Sequence, residues 1–463
     1  MKYLSTRGGI APIPFREAVM MGLARDGGLL LPESYPDVRD RLADWAKLPY
    51  ADLAFEVMRL YADDLPAETL RAIVDKSYAV FKHPEVTPVR PLGRVHLLEL
   101  FHGPTLAFKD VALQFLGNLF EVLLKDSGDE LNVVVATSGD TGSAAIHGIR
   151  GRERQRIFVL HPHGRVSPVQ EAQMTSVPDA NVFNLAVEGT FDDCQNIVKT
   201  LFRDLPFKDA HHLGAVNSIN WARVLAQVVY YFHAGLRVIR ETGAKKVRFT
   251  VPTGNFGDIF AGYVAARMGL PVDKLVLATN ENDILSRFFQ SGVYERGAVA
   301  KTLSPSMDIQ VASNFERYLF HRAGNDPATV RAWMDEFAKT GSLDLRASGS
   351  TDGLVDPLFL SGAGTTDDTL ATIRDTYAAT GVVLDPHTAV GVSVALRNLS
   401  DEAPMICLAT AHPAKFPDAV KTATGRDGLA THPEVERVLA LPRRCTTVPN
   451  DASAVAAYVH GNV

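Results

Sequence analysis

The chain has 463 residues, of which 46% are hydrophobic and 22% charged, and this ordinary globular composition excludes a disordered chain, a collagen-like repeat and a coiled-coil rod. At roughly 150 residues per domain, the length predicts two or three domains, or one large α/β body with additions. The 47 basic and 53 acidic residues give a formal net charge of −6 without a polybasic run, so we expect no nucleic-acid or membrane partner and favour a small molecule.

The cysteines and the N-terminal residues bear on the cellular compartment. Cys194, Cys407 and Cys445 lie far apart without C-x-x-C spacing, which argues against a disulfide framework and a structural zinc site. The histidines also lack metal-ligand spacing, so we expect no metal. Residues 1–9 lack the apolar stretch of a signal peptide, and no later segment offers about 20 uninterrupted apolar residues. We therefore expect a cytoplasmic protein.

The first part of the chain, residues 1–95, is rich in Gly-Gly pairs and prolines and predicts an N-terminal cap. Helix-like apolar spacing occurs at 15–23 and 50–61. From residue 95 onward, short apolar runs are each followed by a polar or glycine-rich turn and a helical pattern. This order predicts an α/β fold of mostly parallel sheets with crossover helices.

The first candidate functional residue is Lys109, in the segment HisGlyProThrLeuAlaPheLysAsp at 102–110. Its apolar neighbours Leu106, Phe108 and Val111 indicate partial burial, which lowers the pKa of an amine and frees it to form a Schiff base. Surface lysines are far commoner, and this segment alone leaves both interpretations open.

The next unit is a predicted strand at 131–136, the turn ThrSerGlyAspThrGly at 137–142 and a helix at 143–149. The turn combines hydroxyls with the amides of a helix start, which suits a carboxylate such as that of an amino acid. Capping of the helix by Ser138 or Thr141 is the alternative.

A second unit has a strand predicted at 156–160 and a helix opened by Ser167, with Glu171 as its partner. Further on, AsnSerIleAsnTrpAlaArg at 217–223 predicts a helix that Ser218 caps, with Asn220 and Arg223 in its first turns. An arginine one turn from a helix start can clamp a phosphate with two hydrogen bonds, and a surface arginine behind a plain cap is the alternative.

The third unit has a strand predicted at 247–251, the loop ProThrGlyAsnPheGlyAsp at 252–258 and a helix to about 268. Glycines let backbone N–H groups converge on a phosphate at a helix start. A plain strand-to-helix turn is the alternative, and the loop matches neither the dinucleotide nor the P-loop motif, which disfavours NAD and ATP. Turns of this kind at the same ends of parallel strands would face one crevice.

Between about 315 and 375 a charged helical pattern predicts a helical insertion. Asp326 and Pro327 mark a helix start, and Gly341, Gly349 and Gly353 mark breaks. The last unit has a strand predicted at 405–408 and a helix from about 418. We place the domains at 1–95, at 96–240 as a small α/β domain, and at 241–463 as a large α/β domain that contains the insertion.

Five motifs taken in order identify a family. They are HisGlyProThrLeuAlaPheLysAsp, AlaThrSerGlyAspThrGlySerAla, AsnSerIleAsnTrpAlaArg, ProThrGlyAsnPheGlyAsp and ThrAlaHisProAlaLysPhe. With TyrLeuSerThrArgGlyGly at 3–9 and AspGlyGlyLeuLeuLeuPro at 26–32, the chain resembles the threonine synthases of the longer branch found in enteric bacteria and fungi. The resemblance covers essentially the whole chain. It implies a fold-type II, tryptophan synthase β-like pyridoxal-phosphate enzyme that converts O-phospho-L-homoserine and water into L-threonine and phosphate.

The resemblance also implies residue roles. Lys109 would hold the cofactor as a Schiff base and act as the catalytic residue, and Thr410 would face the pyridine nitrogen. The cofactor phosphate would lie at Gly254, Asn255, Phe256, Gly257 and Asp258. The substrate carboxylate would lie at Thr137, Ser138, Gly139, Asp140 and Thr141, and the substrate phosphate at Ser218, Asn220 and Arg223.

One residue departs from the wider fold-type II pattern. Many relatives have Asn at the position of Asp140, where the amide can donate to the cofactor's phenolic oxygen, whereas an ionised Asp cannot donate. Three alternatives stay open: Asp140 is protonated, turns away, or is oriented by neighbouring amides.

Two other functions share these features. A fold-type II serine or threonine dehydratase would share the lysine and the anion-binding loops but release no phosphate. A non-catalytic relative would bind a phosphorylated metabolite without turnover. We expect a monomer or weak homo-oligomer.

Overall fold

The computed structural model describes residues 1–346 and 355–463, so the predicted breaks at Gly349 and Gly353 lie outside the described residues. The strands are β1 (Tyr3–Ser5), β2 (Leu30–Pro32), β3 (Val89–Leu92), β4 (Val95–Glu99), β5 (Leu131–Ala136), β6 (Gln155–Pro162), β7 (Val182–Glu188), β8 (Leu213–Gly214), β9 (Val247–Pro252), β10 (Val272–Thr279), β11 (Val293–Glu295), β12 (Ser342–Asp344), β13 (Phe359–Ala363), β14 (Met405–Ala409) and β15 (Thr446–Pro449).

The helices are α1 (Phe15–Met21), α2 (Leu42–Trp45), α3 (Tyr50–Met58), α4 (Ala67–Tyr78), α5 (Lys109–Ser127), α6 (Asp140–Ile149), α7 (Pro168–Thr175), α8 (Phe191–Arg203), α9 (Leu205–Ala210), α10 (Trp221–Thr242), α11 (Gly257–Arg267), α12 (Ile284–Ser291), α13 (Phe315–Arg322), α14 (Pro327–Thr340), α15 (Thr366–Thr380), α16 (Pro386–Leu396), α17 (Pro417–Thr424), α18 (Pro433–Leu439) and α19 (Ala452–His460). Short 3-10 helices lie at Pro305–Met307 and Pro413–Lys415.

Two parallel sheets dominate the fold, which confirms the predicted α/β class. The larger sheet has the strand order β13-β10-β9-β14-β4-β3, and only its edge strand β3 runs antiparallel. The smaller sheet, β15-β7-β6-β5-β8, is parallel throughout. Because crossover helices cover a parallel sheet on both faces, its central strands are mostly apolar: β14 is apolar throughout, and β5 is interrupted only by Asn132.

The four predicted strand–turn–helix units are present. The strand predicted at 131–136 is β5, and the one predicted at 156–160 is the central part of β6. The strands predicted at 247–251 and 405–408 are β9 and β14 without their last residue. Helix α6 begins three residues before the predicted 143. Ser167 caps α7 as predicted, but its hydroxyl accepts from the backbone N–H of Gln170 at 3.3 Å rather than pairing with Glu171.

The sheets do not follow the predicted domain limits. β3 and β4, on either side of residue 95, belong to the larger sheet with β14, and β15 near the C-terminus belongs to the smaller sheet. The predicted helical insertion at 315–375 contains α13, α14 and the start of α15, but it also contains β13, which pairs with β10. Strand pairing joins residues hundreds of positions apart, and local sequence patterns do not report it.

Helices α5 and α6 cross with their backbones in contact. A Cβ atom on Gly117 of α5 would lie 1.9 Å from the carbonyl oxygen of Gly148 in α6. A Cβ on Gly148 would lie 2.5 Å from the carbonyl oxygen of Leu113. Since α5 begins at Lys109 and α6 at Asp140, this crossing fixes the two helix starts relative to each other. Among the described residues, no helix combines the length and hydrophobicity needed to cross a membrane.

Candidate active site

The loop before Lys109 is fastened to both its own helix and the neighbouring strand. The carboxylate of Asp110 accepts from the backbone N–H of Thr105 at 2.8 Å and from its hydroxyl at 2.7 Å, and burial raises the pKa of Asp110 to about 6. Ala107 forms an antiparallel bridge with Ala411, just after β14. These bonds place Lys109 at the carboxyl end of the larger sheet.

Lys109 is partly buried, as its apolar neighbours indicate, and only 11% of its side chain is exposed. Burial lowers the pKa of its amine to about 8, while the nearby Asp140 carboxylate acts in the opposite direction. Its Nζ lies 3.9 Å from Oδ2 of Asp140, the first residue of α6, which follows β5 of the smaller sheet. The two sheets therefore meet at this pair of side chains.

Asp140 is ionised, and both of its carboxylate oxygens accept hydrogen bonds. Its Oδ1 accepts from Nζ of Lys415 at 2.7 Å and from Nε2 of Gln170 at 2.9 Å, and its Oδ2 accepts from the hydroxyl of Ser306 at 3.3 Å. Burial acts to raise its pKa, but the ammonium groups of Lys415 and Lys109 hold that pKa well below the usual range. Of the three alternatives for Asp140, the structure favours orientation by neighbours, chiefly a lysine and one amide.

In the turn after β5, the side chain that bonds to the start of α6 is that of Thr137, not that of Ser138 or Thr141. The hydroxyl of Thr137 accepts from the N–H of Gly139 at 2.9 Å and of Gly142 at 2.8 Å, so Thr137 fastens the turn. The hydroxyls of Ser138 and Thr141 have no hydrogen-bond partner within 1–346 and 355–463. Gly139 is required here, because its φ is +138° and a Cβ would lie 2.4 Å from the Gln170 side chain.

The loop at 254–257 presents backbone N–H groups that no acceptor in the described part of the chain satisfies. Phe256 is buried and adopts a left-handed conformation with φ +63°, and its ring packs among Phe289, Phe315 and Phe359. A Cβ on Gly254 would lie 2.8 Å from the carbonyl oxygen of Ser306. Helix α11 starts at the end of this loop and adds its positive end.

Asp258 points away from this loop. Its Oδ1 accepts from the hydroxyl of Tyr230 at 2.5 Å and of Tyr231 at 2.9 Å, and burial raises the pKa of Asp258 to about 6. Its side chain therefore joins α11 to α10. Its Oδ2 is buried without a hydrogen-bond partner among the described residues, and its backbone N–H is available to a ligand in the loop.

The segment at 217–223 corrects the predicted cap. Asn220, not Ser218, caps α10: its Oδ1 accepts from the N–H of Ala222 at 3.0 Å and its Nδ2 donates to the carbonyl of Val19 at 2.9 Å. Ser218 instead lies beside the start of α11, where its hydroxyl accepts from Nδ2 of Asn314 at 3.3 Å. The sequence signal at Ser218 is ambiguous, because Ser and Asn are both common caps.

Arg223 is buried rather than exposed. Its Nη1 donates to the carbonyl of Val216 at 3.0 Å, and its Nε has no hydrogen-bond partner in the described residues. Burial lowers the pKa of Arg223 to about 10, which leaves it charged at neutral pH. A buried cation with a free N–H favours an anion nearby.

Thr410 follows β14 directly and is buried. Its backbone N–H donates to the hydroxyl of Thr388 at 3.2 Å, and its carbonyl accepts from the N–H of Phe108 at 2.8 Å. The side-chain hydroxyl has no hydrogen-bond partner elsewhere in the described ranges. Thr410 and Lys109 are thus held on adjoining segments.

Four residues at this site are absent from the sequence-based assignments: Gln170, Ser306, His387 and Lys415. His387 donates from Nδ1 to Oδ1 of Asp385 at 3.0 Å. Its Nε2 accepts from the backbone N–H of Ser306 at 3.4 Å. Lys415 lies in the motif ThrAlaHisProAlaLysPhe, which the sequence analysis singled out. Its ion pair with Asp140 was not predictable, because Asp140 is 275 positions away. In the described residues, no group of three or more His, Cys, Asp or Glu side chains is arranged to hold a metal ion.

Three protein families match the chain in succession. The family "Threonine synthase N terminus" matches residues 2–78, "Pyridoxal-phosphate dependent enzyme" matches residues 80–352, and "Threonine synthase, C-terminal" matches residues 388–459. Together they cover most of the sequence, and the middle match contains Lys109, the turn at 137–142 and the loop at 254–257.

Individual relatives agree. The chain is 49% identical to a threonine synthase of Schizosaccharomyces pombe, over 91% of this chain and 89% of that protein. It is 47% identical to a threonine synthase of Pseudomonas aeruginosa, over 100% and 99%. The crystal structure of a PLP-bound threonine synthase from Brucella melitensis superposes with a TM-score of 0.94, at 47% identity, over 100% of this chain and 99% of that one. The chain therefore belongs to the threonine synthases, a family of pyridoxal-phosphate dependent enzymes.

Proposed function

We propose that the chain converts O-phospho-L-homoserine and water into L-threonine and inorganic phosphate at the crevice where Lys109 and Asp140 meet. One observation carries the proposal. A largely buried lysine whose pKa is lowered to about 8 lies 3.9 Å from Asp140 in the turn after β5, and Ser306 contacts both Asp140 and Gly254 of the 254–257 loop. A reactive amine flanked by sites for a carboxylate and for phosphates matches a phosphorylated amino acid as substrate.

The residues fit pyridoxal phosphate. The N–H groups of the 254–257 loop are unpaired in the described residues, and the close approach at Gly254 leaves no room for a side chain. A phosphate dianion at a helix start satisfies such amides. The free Thr410 hydroxyl and the Lys109 amine supply the other two contacts that this cofactor requires, one for its ring nitrogen and one for its aldehyde.

We assign the cofactor-binding roles accordingly. Lys109 holds the cofactor through its ε-amine, and Thr410 faces the ring nitrogen. The phosphate is held by backbone N–H groups of Gly254, Asn255, Phe256, Gly257 and Asp258. When bound, pyridoxal phosphate supplies a conjugated, electron-withdrawing system that makes the protons next to an attached amino group acidic.

Lys109 is the proton carrier in this proposal. Its low pKa lets the free amine take a proton from Cα of the substrate and return one before the product leaves. Thr410 helps to decide the type of reaction, since a hydroxyl, unlike a carboxylate, does not keep a pyridine nitrogen protonated. That choice disfavours transamination and favours elimination.

The turn after β5 positions the substrate. The free hydroxyls of Ser138 and Thr141, with the N–H groups at the start of α6, bind the substrate carboxylate. Thr137 and Gly139 hold this turn in shape, and Asp140 presents its negative charge to Lys109 at the edge of the turn.

Arg223 receives the phosphate that leaves Cγ. Its unpaired Nε–H and buried positive charge stabilise the departing dianion, and the hydroxyl of Ser218 adds a neutral donor. Asn220 supports this arrangement by capping α10, the helix that carries Arg223.

The test is a product assay on purified, cofactor-loaded protein. O-phospho-L-homoserine is supplied in parallel with L-serine and L-threonine, and phosphate, threonine and keto acids are quantified. We expect threonine and phosphate in equal amounts from the first substrate. Keto acid from serine or threonine without phosphate release would assign the chain to the dehydratases, and binding without turnover would identify a non-catalytic relative.

Two further predictions accompany this function. We predict a monomer or weak homo-oligomer, and sedimentation equilibrium across a concentration range measures this directly. We also predict that the protein works in the cytoplasm, which fractionation of the source cells checks.

A further inference from the structure

Lys415 is a second buried lysine at the active site, and the proposed function gives it no role. It ends the short 3-10 helix Pro413–Lys415 after β14, and its side chain has no solvent exposure. Its Nζ lies 2.7 Å from Oδ1 of Asp140 and 2.9 Å from the carbonyl oxygen of Thr105. A fully buried ammonium group is costly and persists only where a charge partner compensates it.

The two oxygens of Asp140 face different lysines. Oδ1 is taken by Lys415 and by the amide of Gln170, whereas Oδ2 faces Lys109 at 3.9 Å, beyond hydrogen-bond distance. The carboxylate is thus fixed from one side by a close ion pair, and its other side approaches Lys109 without bonding to it.

We propose that Lys415 is a positioning residue that neutralises Asp140 and holds its carboxylate back from Lys109, so that Lys109 can shed its proton although a negative charge lies beside it. The inference depends on the proposed role of Lys109. It assigns Lys415 no contact with the substrate or with the reacting atoms.

The physical reason is the competition for Asp140. Without Lys415, the buried carboxylate would have Lys109 as its remaining close cation, and a tight ion pair would keep the Lys109 amine protonated. A protonated amine is neither a nucleophile nor a base. The carbonyl of Thr105 also holds Lys415 in place, because it binds Lys415 to the loop that precedes Lys109.

Other charged groups also face this pair. Arg223 of α10 lowers the pKa of Lys109, and His387 of α16 is linked to Oδ2 of Asp140 through Ser306. Asp110 of α5 is occupied by Thr105. The charge balance at Lys109 therefore depends chiefly on Asp140, which raises its pKa, and on Lys415, which lowers it.

The experiment measures the pKa of Lys109 in the full-length, cofactor-free protein. Lysines are acetylated competitively across a pH series, and mass spectrometry of the Lys109 peptide gives the protonation curve. The variants are Lys415→Met, Asp140→Asn and the double variant. Near-ultraviolet circular dichroism and urea unfolding establish that each is folded.

We expect Lys415→Met to raise the pKa of Lys109 by about one pH unit or more, the usual effect of leaving a carboxylate with a single cation. Asp140→Asn should lower it below the parent value, and the double variant should fall between Asp140→Asn and the parent. The rate at which added pyridoxal phosphate becomes covalently attached, read from visible absorbance, should shift to higher pH in Lys415→Met.

An unchanged pKa of Lys109 in folded Lys415→Met contradicts the inference. If Lys415→Met does not fold, an unchanged or raised pKa in Asp140→Asn contradicts it instead. These outcomes are separate from failure of the proposed function, because the pKa is measured without cofactor or substrate. The product assay can fail while the predicted order of pKa values holds.

Discussion

At the residue level, the site consists of a few buried charged side chains that lie close together in the crevice. Asp140 lies between two lysines, and Arg223 provides a buried positive charge whose Nε–H has no partner among the described residues. Local composition marked Lys109, the turn at 137–142 and Arg223 as candidates with alternatives left open, and the family resemblance supplied their expected roles. The sequence did not predict the Lys415–Asp140 pair or the occupation of Asp258 by Tyr230 and Tyr231, since such partners are set by the tertiary fold.

Replacement of Arg223 tests the site for the leaving phosphate. We expect Arg223→Met to raise the KM for O-phospho-L-homoserine about 10- to 100-fold, the cost of losing a hydrogen-bonded charge partner. Cofactor affinity should change by less than about twofold, because the cofactor phosphate has its own amides at 254–257.

The matched control is Arg237→Met. Arg237 lies in the same helix, α10, but pairs with Glu85 and Glu241 at the protein surface. Steady-state kinetics and cofactor titration of both variants separate the two effects. Equal losses of substrate and cofactor binding in Arg223→Met would contradict the assignment.

Packing of whole elements fixes the distance between the reactive groups. Lys109 and Asp140 each begin a helix, and the backbones of those helices touch at Gly117 and Gly148. The sequence predicted α6 and the strand before it from apolar runs and turns. The crossing was not predictable, because a glycine inside a helix has no local signal for the neighbour that it admits.

Substitution of one of these glycines tests the crossing. Gly117→Ala would place a methyl group 1.9 Å from the Gly148 carbonyl oxygen, so the helices must separate. We expect a loss of stability of about 2 kcal/mol or more, the range of overpacked cores, and a fall in kcat from displacement of Lys109.

Gly461→Ala is the control for this substitution. Its φ is −76°, and the nearest atom to a new Cβ lies at an ordinary 3.5 Å. Urea unfolding and steady-state kinetics should leave this variant close to the parent. Unchanged stability and activity in Gly117→Ala would show that the crossing does not position the site.

The whole molecule joins segments that are distant in sequence. β4 and β14 are more than 300 positions apart and lie side by side, and their loops place Lys109 next to Thr410. Local patterns predicted the α/β class because each strand and helix carries its own periodicity. The assignment of β3, β4 and β15 to sheets depended on long-range pairing, and for that reason the predicted domain limits do not coincide with the sheets.

Four partly buried histidines make the whole fold sensitive to acid. Burial lowers the pKa of four histidines to about 4: His147, His233, His321 and His412. The unfolded chain binds protons near pH 6.5 and the folded chain only near pH 4, so their contribution to stability is present above pH 6.5 and is lost as the pH falls toward 4. Asp110 and Asp258, with pKa values raised to about 6, oppose this trend in part.

We therefore expect the free energy of unfolding in urea to be lower at pH 5 than at pH 7. His233→Gln should reduce that difference by about 1 kcal/mol, because Gln has no proton to gain. The exposed His212 serves as control, and His212→Gln should leave the difference unchanged. An equal pH dependence in the parent and in His233→Gln would contradict this account of acid sensitivity.

Lys109, and not the more deeply buried Lys415, is the lysine that we assign to the cofactor. The most direct measurement is reduction of the cofactor-loaded protein with sodium borohydride, which converts the lysine–cofactor C=N bond to a stable C–N bond, followed by mass mapping of the peptides. We expect a pyridoxyl group on Lys109 and an unmodified Lys415. A pyridoxyl group on Lys415, or on no lysine at all, would contradict it.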